Sequence, residues 1–205
     1  DSWRSALRSI AETIGAVLRG ETGTVLSGDA DAIGVACYTS GTGPLLGLWS
    51  EQKAISSSPA VASLLALHLR HNRTRVEKMT AAAREVVDAL AAEGIEVTVL
   101  KGMHTAHAYF DDPGARPFSD IDLHVSKSDE AAAGEVLSSL GFEKGAVCRW
   151  SREVEWTLKG MNREPRTLCL VHADDLRPAQ HRGRQPRPGE PAAVPAQGGL
   201  AQVQG

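Results

Sequence analysis

Apolar residues in the first ninety positions recur at three- and four-residue steps, the period of a helix with one buried face. Trp3, Leu7, Ile10, Ile14, Val17 and Leu18 form one such stripe over residues 2–19, and Gly20 closes it. Residues 29–50 predict a helix to Cys37 or Tyr38, a Gly-rich turn, and a second short helix through 45–49. Three serines at 56–58 ahead of Pro59 mark a helix start, with Ser at the cap and Pro in the first turn. From there to about Ala92 the pattern predicts a long helix or a helix pair. Leu64, Leu65, Leu67, Leu69, Val76, Met79, Val86, Val87 and Leu90 supply its apolar face, and Gly94 stops it.

Beyond Gly94 the period shortens. Residues 95–100 (IEVTVL) are a β-branched strand bounded by glycines. Residues 103–110 read as a short helix, 111–117 (DDPGARP) as a loop with two prolines, and 120–125 (DIDLHV) as a second strand. A helix over 128–140 follows, with Ser at its cap and acids in its first turn, and Gly141-Phe142 closes it. Segments 147–158 and 167–172 are further strands, or a strand and a helix. The organisation is a helical region over 1–93, a small α/β domain over 94–175, and a tail over 176–205.

Composition bears mainly on that tail. The chain has 205 residues, 42% hydrophobic, with 22 Lys+Arg against 25 Asp+Glu and a net charge of -3. Such a balance excludes a wholly disordered chain and gives no strong general nucleic-acid-binding signal. The last 30 residues nevertheless hold four Arg and one Glu, and 24 of them are Pro, Gly, Ala, Arg or Gln. That mixture builds no core and reads as a disordered, low-complexity appendage. A GC-rich gene read out of frame yields the same mixture, so a frameshifted or truncated carboxy terminus is expected. The chain also begins at Asp1 rather than Met, which reads as a fragment or a processed chain. Cys37, Cys148 and Cys169 are odd in number and lack a short metal-like spacing, so buried free thiols in a reducing cytoplasm are the expectation. No apolar run reaches membrane-spanning length, and no signal-peptide pattern opens the chain.

The candidate chemistry lies in the second half. In a strand, residues two apart share a face, so Asp120 and Asp122 project together. Adjacent carboxylates repel one another unless a cation sits between them. Oxygen-only ligands on a strand suit Mg²⁺ or Mn²⁺, ions that also take phosphate oxygens. Val99-Leu100-Lys101-Gly102 brings a strand to the start of a helix, whose free N–H groups and positive dipole end suit phosphates. Gly102 admits a ligand close to the backbone. Lys101 adds a positive charge, and Arg116 reaches phosphate or braces the loop.

Residues 94–142 carry, in order, a strand ending in Leu-Lys-Gly, a helix ending in an aromatic, Asp-Pro-Gly-Ala-Arg-Pro, Ser-Asp-Ile-Asp-Leu and Leu-Gly-Phe. In this the chain resembles a bacterial nucleotidyltransferase-like family of the DNA polymerase β superfamily. The likeness spans about residues 1–145, including Pro44-Leu45-Leu46 and the long helix through Asn72 and Arg73. It implies an α+β or α/β fold: a helical amino-terminal region, then a small polymerase-β-like core of mixed sheet and flanking helices, incomplete at its carboxy end.

The implied activity is metal-dependent transfer of a nucleoside monophosphate from a nucleoside triphosphate to an acceptor, with release of pyrophosphate. The acceptor class stays open among small molecules, peptides, proteins and RNA. Asp120 and Asp122 match the metal-binding, catalytic pair. Lys101, Gly102, Arg116 and Ser119 are the residues implied at the triphosphate, with Mg²⁺ or Mn²⁺ as cofactor.

Two departures stand out. Met103 follows Gly102 where better-studied superfamily members have Ser or Gly, so a hydroxyl contact to phosphate is missing. The superfamily's third carboxylate comes from a later strand, and the counterpart here, Leu168-Cys169-Leu170-Val171-His172-Ala173, contains no acid. Asp174 and Asp175 are out of register, and nothing favours Glu153 over Glu155. The alternative is therefore a catalytically inactive or truncated homologue that binds a nucleotide or a partner. A toxin–antitoxin role is a third possibility.

The other features read plainly. Residues 40–44 are a turn without the Gly-Lys-Ser/Thr ending of a phosphate loop. His104 and His107 are partly exposed helix residues, His68 and His71 are surface or interface residues, and Asp111-Asp112 caps a loop. His124 shares the aspartates' face by strand alternation.

Overall fold

The computed structural model describes residues 2–147, 154–158 and 166–172. Cys148, Glu153, Asp174, Asp175 and the tail over 176–205 lie outside the described residues. Helix α1 spans Ser2–Leu18, strand β1 Thr24–Leu26, α2 Ala30–Ser40, α3 Gly43–Glu51 and β2 Ile55–Ser57. A 34-residue helix, α4, then runs over Pro59–Ala92. The remainder is β3 Val97–Leu100, α5 Lys101–Tyr109, a 3-10 turn at Pro113–Ala115, β4 Ile121–Val125, α6 Glu130–Ser139, β5 Phe142–Val147, β6 Val154–Leu158 and β7 Arg166–His172. Among the described residues no helix is long and apolar enough to cross a membrane.

Helix α4 is one rod rather than a pair. Its buried positions are Val61, Leu65, Leu69, Asn72, Val76, Met79, Ala83, Val86 and Leu90, with Ala82 beside them. These recur in steps of three and four without a break, so one face stays buried from end to end. Ser58 caps the helix by accepting a hydrogen bond from the Val61 N–H, and Pro59 occupies the first turn. Two apolar cores meet along it. Val61 and Leu65 pack with Ile10 of α1, Leu26, Ile33 and Cys37 of α2, and Leu46 of α3. Val76 through Leu90 pack with Ile121, Leu123 and Val125 of β4, Leu137 of α6, Trp156 of β6, and Leu168 and Leu170 of β7.

The five-stranded sheet has the order β3-β4-β7-β6-β5. Strands β4 and β7 are parallel, and the other neighbouring pairs are antiparallel. It is a mixed sheet in an α+β molecule. One face carries Ile121, Leu123, Val154, Trp156, Leu168 and Leu170, all buried in the core. By strand alternation Asp122, His124, Cys169 and Glu155 fall on the opposite face.

Several local expectations shift. In α1 the buried stripe is Ala6, Ile10 and Thr13, while Trp3 and Leu18 stand exposed. Helix α6 begins at Glu130, and its cap residue Asp129 makes no side-chain cap bond. The nearby hydroxyls are engaged elsewhere: Ser126 Oγ bonds Ser128 Oγ at 2.6 Å and Asp129 Oδ2 at 2.8 Å. Strands β1 and β2, a parallel pair of three residues each, carry too few positions for periodicity to reveal.

Candidate functional site

The edge of β3 and the start of β4 build the site. Leu100 pairs with Asp122 across the antiparallel β3–β4 ladder, so the chain leaves β3 and enters α5 beside the aspartates. Lys101, the first residue of α5, has φ 47, a left-handed conformation that a residue with a Cβ seldom adopts. From it the Lys101 ammonium reaches Asp122 Oδ1 at 2.9 Å. The lysine side chain is half exposed, whereas Asp122 is only 2% exposed. A carboxylate this deeply buried requires a compensating positive charge, and Lys101 supplies one.

Asp120 precedes β4 and is half-buried, and the Ser119 hydroxyl donates to its Oδ1 at 3.3 Å. Parallel pairing sets Cys169 of β7 directly beside Asp122. One donor atom from each of Asp120, Asp122 and Cys169 lies within 4.8 Å of the others. The donor set fits a divalent cation, and the chain places an orphaned polar atom close by in sequence: Nε2 of His124 is buried without a hydrogen-bond partner.

Gly102 and Arg116 converge next to this cluster. The Arg116 guanidinium donates to the carbonyls of Gly102 at 3.2 Å and Pro117 at 3.3 Å, so it braces the turn. A Cβ at Gly102 would stand 2.6 Å from Cβ of Phe118. The absence of a side chain there thus serves the packing of the loop on α5. No side chain caps the amino end of α5.

The loop before β4 is itself locked to α4. Asn72, buried at the helix midpoint, donates to the Gly114 carbonyl at 2.7 Å. Arg73 Nε donates to Asp112 Oδ2 at 2.7 Å, and its Nη2 pairs with Glu51 at 2.9 Å. The bond to Asp112 foremost raises the already high Arg73 pKa. Asp112 Oδ1 also accepts from the Gly114 N–H at 2.8 Å, and a Cβ at Gly114 would run into Arg73.

Of the residues singled out in the sequence, Asp120, Asp122 and Lys101 come together, Ser119 touches Asp120, and Gly102 with Arg116 forms the adjoining turn. The sequence predicts a buried free thiol at Cys169, and among the described residues it forms no disulfide. It is half-buried rather than buried, and it sits in the acidic cluster because strand pairing brings it beside Asp122. Glu155 lies opposite Cys169 in the β6–β7 ladder and is exposed. The resemblance points to the strand that carries Cys169 and leaves Glu155 among the candidates, but no local signal joins either to the aspartates, since that neighbourhood depends on pairing across the sheet.

A model of the family described as uncharacterised nucleotidyltransferase matches residues 29–182. The chain belongs to that family. The match starts just before α2 and continues through β5, β6 and β7, well past residue 145, where the motif-level resemblance fades. No curated protein and no solved structure matches the chain significantly.

Proposed function

We propose that this protein transfers a nucleoside monophosphate from a nucleoside triphosphate to an acceptor hydroxyl. In that reaction a bond forms from the acceptor oxygen to the α-phosphorus, the bond to the pyrophosphate oxygen breaks, and the acceptor proton leaves. The observation that carries the reading is the convergence of Asp120 and Asp122 beside the amino end of α5, in a chain of this family. Asp120 and Asp122 would hold a divalent cation. A bound ion of this kind neutralises phosphate charge and polarises the reacting phosphoryl group.

The chain's own groups do the rest. Backbone N–H groups at the start of α5 face the triphosphate, where a helix dipole favours negative charge. Lys101, now 2.9 Å from Asp122, would turn to a phosphate oxygen once a cation neutralised that carboxylate. Arg116 holds the Gly102 turn in shape, and Ser119 orients Asp120.

The test follows label from α-labelled ATP, GTP, CTP and UTP into small-molecule, peptide, protein and RNA acceptors, alongside pyrophosphate release. Asp120→Asn and Asp122→Asn each lower turnover by about a hundredfold or more, the scale on which metal-site perturbations act. Full activity in both variants overturns the mechanism. Nucleotide binding without pyrophosphate release, under every metal and acceptor, assigns the chain to the inactive-homologue reading.

A further inference from the structure

We propose that Cys169 is the third protein ligand of the Asp120–Asp122 centre, and that its thiolate makes the centre select a thiophilic divalent ion such as Zn²⁺ over Mg²⁺. The inference rests on the proposed function only for the expectation that a cation binds here.

Three observations support it. First, the donor atoms of Asp120, Asp122 and Cys169 all lie within 4.8 Å of one another. With metal–oxygen and metal–sulfur distances of about 2.0–2.3 Å, ligands of one tetrahedral ion stand about 3.5 Å apart. Small side-chain rotations close the difference. Second, the backbone fixes the thiol's direction. Leu168 and Leu170, on either side of Cys169, are 0% and 1% exposed in the core, so strand alternation turns Cys169 to the aspartate face. Parallel pairing then seats it against Asp122. Third, β7, with the sequence RTLCLVH, offers no carboxylate.

A thiolate is a soft ligand that suits Zn²⁺ and matches Mg²⁺ poorly, since Mg²⁺ prefers oxygen in a strict octahedron. When the ion binds, the thiol S–H bond is replaced by an S–metal bond and one proton passes to solvent. Two carboxylates and one thiolate leave the fourth position of a tetrahedral ion for a phosphate oxygen or water, the open arrangement of catalytic rather than structural zinc.

The experiment titrates the nucleotide-free protein with Co²⁺ and reads the sulfur-to-cobalt charge-transfer absorption, then displaces Co²⁺ with Zn²⁺ or Mg²⁺. The expected result is a charge-transfer band in the wild type that is lost in both Cys169→Ser and Asp120→Asn. Cys169→Asp restores an all-oxygen site, and its preference for Zn²⁺ over Mg²⁺ falls by at least about tenfold. No band in the wild type, or a band that survives Cys169→Ser, overturns the proposal. So does a metal preference indifferent to Cys169→Asp but altered by Glu155→Gln, which would make Glu155 the third ligand. These readouts need no turnover. A thiolate-bound ion without nucleotidyl transfer removes the proposed function and leaves the ligand assignment. Mg²⁺-driven transfer indifferent to Cys169→Ser, with no band, does the reverse.

Discussion

Cys37 and Cys169 carry the same thiol into opposite surroundings. Cys37 is fully buried between α2 and the neighbouring helices, and burial raises its pKa from 9.0 to about 11, against a smaller opposing effect of the Thr42 hydroxyl. The unfolded chain ionises this thiol first, so the native advantage is intact below pH 9, declines above it, and is lost as pH passes about 11. Cys37→Ala is destabilised at pH 8 by the lost packing, and its deficit relative to wild type narrows between pH 9 and pH 11 in urea titrations. In the folded wild type a thiol reagent leaves Cys37 unmodified at pH 8. At Cys169 neighbouring strands decide, and they are remote in sequence. That difference explains which site residues could be read in advance. Asp120 and Asp122 are two apart in sequence at the entry to β4, so local geometry joins them, whereas Cys169 meets Asp122 only through a ladder between β4 and β7.

Among elements, the segment from Asp111 to Phe118 does more than connect α5 to β4. It is held at Asn72 and Arg73 on α4, at Gly102 on α5, and at its own Asp112. A methyl group at Gly102 has nowhere to go, because the first contact is backbone-proximal Cβ of Phe118. Gly102→Ala therefore costs about 1–3 kcal/mol by overpacking, read as a lower urea midpoint at unchanged slope. Turnover falls further than stability explains, since α5 must shift relative to Asp122. An unchanged midpoint would show that the turn yields freely. The long α4 is legible from its unbroken repeat, β3 from its bounding glycines, and β4 from its alternation of apolar and polar residues. The start of α6 is not, because the serines of the preceding turn satisfy one another rather than the helix.

At the scale of the molecule, α4 contributes to both cores, and a continuous helix of this kind is expected to couple their unfolding. Leu65 sits in the amino-terminal core and Leu90 in the sheet core, on one continuous helix. Leu65→Ala and Leu90→Ala each cost about 2–5 kcal/mol, and in both variants circular dichroism and tryptophan fluorescence report a single coincident transition. Two separated transitions in either variant would show that α4 does not couple the cores. The helical amino-terminal half and the mixed α/β remainder follow from the change of hydrophobic period near Gly94. The strand order does not, because no local pattern says which strands become neighbours.

The place of β7 has a further consequence in time. It is the last of the described strands to emerge during synthesis, yet it lies at the centre of the sheet, between β4 and β6. Until it inserts, β4 presents an unpaired edge with Ile121, Leu123 and Val125 beside it, and the β5–β6 hairpin has no partner on its other side. Such edges recruit strands from other chains, so the nascent protein is most exposed to aggregation and most dependent on chaperones during that interval. The pairing of Asp122 with Cys169 closes a loop of 47 positions, a slow non-local step, so the candidate metal centre is among the last features to mature.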